Sequence, residues 1–408
     1  MRHRLNARQQ DLVELAGRLA DTFATRAAEH DRESTFPFEN YADMRAAGYL
    51  GLTIPEELGG RGADLGEMLL AQERLAMGCG STALAVTMHV SPLGQVGALW
   101  RLNQDERLGQ FLREAATGEV VYASMTAERG HSILMTSNTV ATPVEGGYRV
   151  TGDKIFGTES AICTHFSSMA RVDDPDGGSR VIIFRLARPV DGMEVKDTWD
   201  TMGMRGTLSN DWSMRDVFVP EDAVFHSYPV DHFDSVLLRM TWSWAMPAFG
   251  AVYLGIAGGA MAYARDQVQA RGREDDPAVQ TAFAEMEILL ETARAVLWRH
   301  TDEVASGDLF EQFTVQEGMA RTMLTKHVPC NNAIRIVDLA LEVVGGAGFF
   351  RRSPLERMYR DVRAGVIMPY NNPEARSLFG RNALGIEIAP EVPADESGHR
   401  VRQAGRGR

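Results

Sequence analysis

Val121-Tyr122-Ala123-Ser124-Met125-Thr126-Ala127-Glu128-Arg129-Gly130-His131-Ser132, followed downstream by Gly146-Gly147-Tyr148-Arg149-Val150-Thr151-Gly152-Asp153-Lys154-Ile155-Phe156-Gly157-Thr158-Glu159-Ser160, is the stretch that decides the fold. Both runs carry the Val, Ile, Tyr, Phe and Thr that suit a pleated surface, and a Gly-Gly turn opens the second. Further short runs follow, so that strands are expected at 121–125, 139–143, 148–152, 165–171, 180–185 and 212–219. Turn signals at 145–147 and 173–178 separate them. Many short strands with turns between them predict a compact sandwich or barrel.

On both sides of this block the texture is helical. Leu12, Leu15, Ala16, Leu19 and Phe23 recur at spacings of three and four, an apolar stripe of helical period. Phe36-Pro37 breaks the pattern, and a helix over 39–47 stops at Gly48. Helical periodicity returns at 65–77, 82–90 and 105–116. Beyond the strands, 237–268, 278–305 and 315–344 are long and apolar or amphipathic, as helices of a bundle are. The polar end, 391–408, reads as a disordered tail. The chain is therefore α+β: an N-terminal helical domain (1–118), a middle β domain (119–225), a C-terminal helical bundle (226–390) and the tail.

With 42 basic and 55 acidic residues the net charge is −13, which argues against a nucleic-acid or anionic-membrane partner. No run of about 18 apolar residues is read as a membrane span, and no secretory signal is expected at the start. Cys79, Cys163 and Cys330 have neither metal-ligand spacing nor a paired framework, so no metal is expected. The expected setting is the reducing cytoplasm.

The order of domains and several motifs resemble the acyl-CoA dehydrogenase superfamily of flavoproteins, over essentially residues 10–388. Ile54-Pro55-Glu56-Glu57-Leu58-Gly59-Gly60, after Gly48-Tyr49-Leu50-Gly51-Leu52, is similar to its first-domain pattern. Met125 to Ser132 stands where the family has T-E-P-G-x-G-S-D, and Lys154-Ile155-Phe156-Gly157-Thr158 where it has K-x-W-I-T. Gly345-Gly346-Ala347-Gly348-Phe349, Pro354-Leu355-Glu356-Arg357 and Arg360-Asp361 match its C-terminal G-G-x-G-F, P-V-E-R and R-D. The resemblance implies a four-helix bundle in the last domain, a bound FAD, and a homodimer or homotetramer in which a neighbouring subunit completes each flavin site.

A flavin ring needs hydrogen-bonding groups at N5, O4 and O2 and an aromatic or apolar wall. By resemblance Met125 and Thr126 reach its pyrimidine side, Thr158 donates near N5 and O4, and Phe156 replaces the usual Trp. Arg271, Ser132, Gly345 and Gly346 are implied at the diphosphate, and Glu342 stands where a Gln contacts the ADP part. Glu274-Asp275 replaces the Phe-Gly expected after Arg271. Each residue also has an ordinary reading, as a strand threonine, a core aromatic or a helix-end charge.

Two departures bear on the reaction. The family's dehydrogenases remove an acyl-CoA α-proton with a glutamate, and here Pro369 falls at that position. The alternative base position lies in 239–245, which has no carboxylate; Glu374 could serve only after a loop shift. Met246 precedes Pro247 where many relatives have an arginine for CoA. Trp242, Trp244 and Met246 form a more apolar substrate wall, although aromatics at i and i+2 cannot share one helix face. Glu128 and His131 offer acid–base groups or a loop salt bridge, and His89 a cavity or core histidine.

Three functions remain open at this point. One is a FAD-dependent desaturase of an acyl thioester carried on CoA or a carrier protein, with an electron-transfer partner. Another is a flavin monooxygenase or N-hydroxylase using reduced flavin and O2, with a flavin reductase as partner. The third is a non-catalytic flavoprotein.

Overall fold

The computed structural model describes residues 5–130, 136–173, 177–390 and 392. The chain enters through α1 (Ala7–Ala24), whose Asn6 side chain accepts from Gln9 N at 2.8 Å while Gln9 returns a bond to Asn6 N. This reciprocal cap satisfies two of the amide groups that a helix start leaves unpaired. Leu12, Leu15, Ala16, Leu19 and Phe23 are buried along one face. Helices α2 (Ala27–Glu33), α3 (Phe38–Ala46), α4 (Leu65–Ala76), α5 (Gly80–Asn103) and α6 (Glu106–Ala116) complete the first helical unit.

Helix α5 departs from expectation. The sequence predicts an end near Val90, yet the helix continues through Pro92 to Asn103. Proline removes one intrahelical bond. Here Val90, Ser91, Leu93, Gly94, Gln95 and Gly97 around it are buried, and packing outweighs that loss.

Strands β1 (Tyr122–Met125), β2 (Val140–Val144), β3 (Gly147–Gly157), β4 (His165–Asp173), β5 (Ser179–Ala187), β6 (Met193–Val195), β7 (Asn210–Pro220) and β8 (Val224–Pro229) form one connected sheet. Its order is β6-β7-β3-β2-β4-β5-β8, with β1 lying parallel to β4 off that path. The sandwich-or-barrel expectation thus resolves to a single hydrogen-bonded sheet. Strand β3 is longer than the predicted 148–152 and carries Lys154 and Phe156 to its end.

A short α7 (Ser235–Leu237) leads into a π turn over Leu238–Trp242 and then α8 (Ser243–Ala270). Helices α9 (Pro277–Ser306), α10 (Asp308–Glu311), α11 (Val315–Val344), α12 (Pro354–Asp361) and α13 (Asn372–Ala383) follow. Helix α8 is long and apolar enough to cross a membrane, but 83% of its most apolar window is buried inside the protein, as in a bundle core. At Gly250 a Cβ would lie 2.1 Å from the Thr325 carbonyl oxygen, so α8 and α11 pack with almost no space between backbones. Val392 corrects the tail reading at its first described residue. It is buried, and its amide donates to Phe233 O at 2.8 Å.

Candidate active site

The three parts meet around a cavity of about 240 Å³. One wall is the sheet, with Thr126, Phe156, Thr158, Ser167, Met169, Ile183 and His226. The second is α5, with Thr87, Met88, Ser91 and Gln95. The third is the start of α8, with Trp242, Ala245, Met246 and Phe249, together with Ile367, Met368 and Pro369 beyond α12. Ser91 and Gln95 reach the cavity because α5 does not stop at Val90. Gln95 Nε2 donates to Thr241 O at 2.9 Å and so ties α5 to the π turn. Such turns insert one residue into a helix and often occur at functional sites.

Of the residues expected at a flavin ring or substrate, Thr126, Phe156, Thr158, Trp242 and Met246 line this one cavity. Met125 is beside it but buried in β1, where its carbonyl accepts from Ser168 Oγ at 2.7 Å. Trp244 points elsewhere and packs on Gly94, where a Cβ would lie 2.2 Å from its ring. Trp242 and Met246 are i and i+4 on one helix face; Trp244 is not. Arg271, Glu342, Gly345 and Gly346 gather at the ends of α8 and α11, off the cavity. Arg271 Nη1 donates to Val344 O at 2.9 Å, and Glu342 lies 3.8 Å from Arg335. Gly345 holds φ +70°, and at either glycine an added Cβ would meet nothing within 4 Å, so the backbone is open to approach. Ser132 and His131 lie outside the described residues.

The cavity is lined by hydroxyls and aromatics, which are groups a flavin ring requires. Thr207 Oγ1 donates to Met204 O at 2.9 Å, Ser209 Oγ lies 2.8 Å from Thr207, and Thr158 Oγ1 lies 2.8 Å from Ser209. Each hydroxyl has one proton. The chain therefore runs Thr158 to Ser209 to Thr207 to Met204, and Thr158 presents lone pairs to the cavity. Phe156, at φ +55° and 49% exposed, stands edge-on to Trp199 at 5.9 Å on the rim. Trp242 Nε1 is itself buried and has no hydrogen-bond partner among the described residues, so Trp242 offers the cavity its apolar ring. These groups suit an isoalloxazine ring, which offers both acceptors and an apolar face.

Several charged residues near the motifs hold the fold and leave the cavity alone. Glu128 and Lys154 form a buried ion pair, and Glu128 also accepts from Ser137, Asn138 N and Thr139. Burial works to raise the Glu128 pKa, but Lys154 and these hydrogen bonds outweigh it and hold the group at about 2. At the ammonium burial prevails, lowering Lys154 to about 8, still charged at neutral pH. The Arg360-Asp361 motif is a clamp. Arg360 pairs with Asp31 of α2 and Glu356, and Asp361 Oδ1 accepts from Met204 N at 2.6 Å. Glu159, next to Thr158, is fully buried, accepts from Tyr41 and is pushed well above the usual carboxylate range by burial. Glu374 caps α13 through Asn371. His89 is a core histidine: one nitrogen meets Leu50 O at 2.9 Å, the other accepts from Tyr122 N, and burial lowers it to about 4. Among the described residues no group of His, Cys, Asp and Glu could hold a metal, and all three cysteines are free and buried.

Sequence reading missed His226, Trp199 and Ser209 on this wall. For His226 a signal existed: His226-Ser227-Tyr228 alternates on an edge strand, and Asp234 follows at a helix start.

The fold and the cavity define a flavin-dependent oxidoreductase. Family models for the acyl-CoA dehydrogenase N-terminal, middle and C-terminal domains match residues 6–119, 123–217 and 248–371. YdbM of Bacillus subtilis, whose name proposes an acyl-CoA dehydrogenase, is 32% identical over 89% of this chain and 94% of its own. The amino sugar nitrososynthase DnmZ of Streptomyces peucetius is 33% identical over 92% and 93%. The crystal structure of KijD3 with FMN and a dTDP-linked amino keto sugar superposes with a TM-score of 0.83 at 28% identity, covering 98% of each chain. The chain belongs to the acyl-CoA dehydrogenase superfamily.

Proposed function

We propose that the protein is a monooxygenase that uses reduced flavin and O2 on a largely apolar small molecule with a nucleophilic heteroatom. One observation carries this reading: Pro369 faces the cavity where the dehydrogenases' glutamate is expected, and no Asp or Glu lies on the described wall. Desaturation of an acyl thioester needs a carboxylate held next to the thioester to remove a carbon-bound α-proton, whereas oxygen transfer to a heteroatom removes no carbon-bound proton. Bound reduced flavin would supply the electrons that activate O2. Thr126, Thr158 and Trp242 would hold the ring, and the lone pairs of Thr158 suit the N–H that reduced flavin carries at N5. Met246 and Trp242 favour an apolar substrate over CoA. The nitrososynthase relative supports the same reading, and YdbM supports desaturation as the second one.

Arg271, Gly345 and Gly346 would hold the flavin phosphate, of a neighbouring subunit in a homodimer or homotetramer. Glu342, Glu274 and Asp275 put negative charge at this rim, which works against the second phosphate of FAD and favours FMN. Replacing exposed Glu342 by glutamine is expected to tighten FAD binding by roughly two- to fivefold and leave FMN nearly unchanged, as calorimetric titration would read. Free buried thiols fit a cytoplasmic protein served by a flavin reductase.

Anaerobic addition of acyl-CoAs is expected to leave the oxidised flavin absorbance unchanged. With reduced FMN, O2 and primary-amine or indole probes, oxygen uptake and an oxygenated product are expected. Bleaching by an acyl-CoA would establish the desaturase instead.

A further inference from the structure

Beyond the flavin and the bulk substrate wall, the cavity holds one acid–base device. His226 lies on β8, opposite Ile183 of β5, and both line the cavity. Its Nε2 lies 2.5 Å from Asp234 Oδ2. Asp234 is buried, and its other oxygen accepts from Val236 N at 2.7 Å as the cap of α7. Both carboxylate oxygens are therefore engaged, and the pair has no freedom to swing away. A carboxylate beside Nε2 places the ring proton there, so Nδ1 carries the lone pair. Among the described residues Nδ1 has no hydrogen-bond partner. The ring also stacks on Tyr228 at 5.7 Å and 26°, which fixes its plane.

The surroundings make this histidine the base of the cavity. No Asp, Glu, Lys or Arg lies on the described wall, and the one other titratable side chain there is Tyr122, whose pKa burial raises. Tyr228, behind the ring, is likewise raised by burial, and by Asp234. A protonated amine, a thiol or a phenol entering this space must lose a proton before its heteroatom is a nucleophile.

We propose that His226, oriented and charge-balanced by Asp234, takes that proton from the substrate heteroatom. This inference rests on the monooxygenase reading for the identity of the step it serves. The transfer breaks the substrate N–H, S–H or O–H bond and forms N–H at Nδ1. The electron pair stays on the heteroatom, and Asp234 stabilises the imidazolium through Nε2–H. His226 is the group that touches substrate; Asp234 is a positioning residue. Triads on unrelated folds use the same division of labour. The substrates that fit are small, mainly apolar molecules bearing one ionisable N–H, S–H or O–H.

The test uses 4-nitrophenol, whose phenolate absorbs where the phenol does not, and the full-length protein with and without flavin. An apolar wall without a cation would keep the bound probe neutral. With His226 as acceptor, the difference spectrum should show bound phenolate at a pH where the free probe is mostly phenol. His226→Gln should bind the probe within about threefold of wild type and abolish the phenolate band. Asp234→Asn, which keeps a hydrogen bond but removes the charge, should cut the phenolate fraction roughly tenfold, a factor worth about 1.4 kcal/mol. In a His226→Gly variant, added imidazole should restore the band, which a purely structural role would not produce. A band unchanged in His226→Gln, a wild-type protein that leaves the bound probe as phenol, or failure to take up the probe would overturn the assignment. The measurement needs neither O2 nor turnover. A phenolate band in a protein that forms no oxygenated product would sink the monooxygenase reading and leave the base in place.

Discussion

Replacing Lys154 by methionine is expected to destabilise the protein by about 3–5 kcal/mol, read from the urea midpoint at neutral pH. The lysine is fully buried, and its ammonium meets the Glu128 carboxylate and donates to Met169 O at 2.7 Å. Its loss strands a charged carboxylate in the core, although Ser137, Asn138 N and Thr139 still solvate it in part. Those bonds keep the cost within that range and not above it. Changing Glu128 to Gln in the same background should recover part of the loss, because the stranded charge disappears with it. A single-variant loss below about 1 kcal/mol would mean that the pair is not a structural tie.

The same pair predicts an acid sensitivity with a definite sign. Glu128 falls from an ordinary value of 4.5 to about 2 on folding. The folded state thus binds this proton more weakly than the unfolded chain, so the contribution is complete above pH about 4.5 and is lost as pH falls towards about 2. In Glu128→Gln that part of the acid dependence should vanish.

Gly250→Ala is expected to cost about 3 kcal/mol in the same measurement, at the upper end of overpacking effects. The added methyl would meet the Thr325 carbonyl at 2.1 Å, and Pro329 and Leu297 close the remaining space at 3.1 and 3.3 Å. A backbone carbonyl inside α11 cannot rotate away as a long side chain can, so the helices must separate. Ala245, Met246 and Phe249 sit on the adjoining turns of α8 and line the cavity. Separation should therefore weaken flavin binding as well as stability, which titration by flavin fluorescence would detect. Gly258, in the same helix, is the control. A Cβ there meets only Met77, at 3.8 Å, so Gly258→Ala should be neutral or stabilise by roughly 0.5–1 kcal/mol through helix propensity. Equal effects at the two glycines would contradict the close-packing account.

Some of this protein is legible one residue at a time. The stripe of Leu12, Leu15, Leu19 and Phe23 specifies its helix because a 3.6-residue period needs no knowledge of the rest of the chain. The strand runs and the Gly-Gly turn at 146–147 specify the β block in the same way, and Pro369 marks a missing carboxylate once the chain is set against the family's motif. Where local preference competes with packing, sequence reading stops early, as at Pro92. The proline costs α5 one hydrogen bond, while the buried turns around it gain far more contact.

The composition of the cavity wall depends on distances no local pattern contains. Trp242 and Trp244 look equivalent as letters; only the packing of Gly94 against one of them decides which faces the cavity. Lys154 and Glu128, and above all Asp361 and the Met204 amide, become partners because elements far apart in the chain are brought within hydrogen-bond reach. His226 and Asp234 are near in sequence, and the turn between β8 and α7 sets their contact. Composition and periodicity thus determined the three-part architecture, since that follows from backbone preference and burial, and the motifs in their order carried the resemblance to flavoproteins. Tertiary structure decided that a carboxylate-backed histidine lines the cavity that lacks the carboxylate, because acid–base function depends on which side chains desolvate and touch one another.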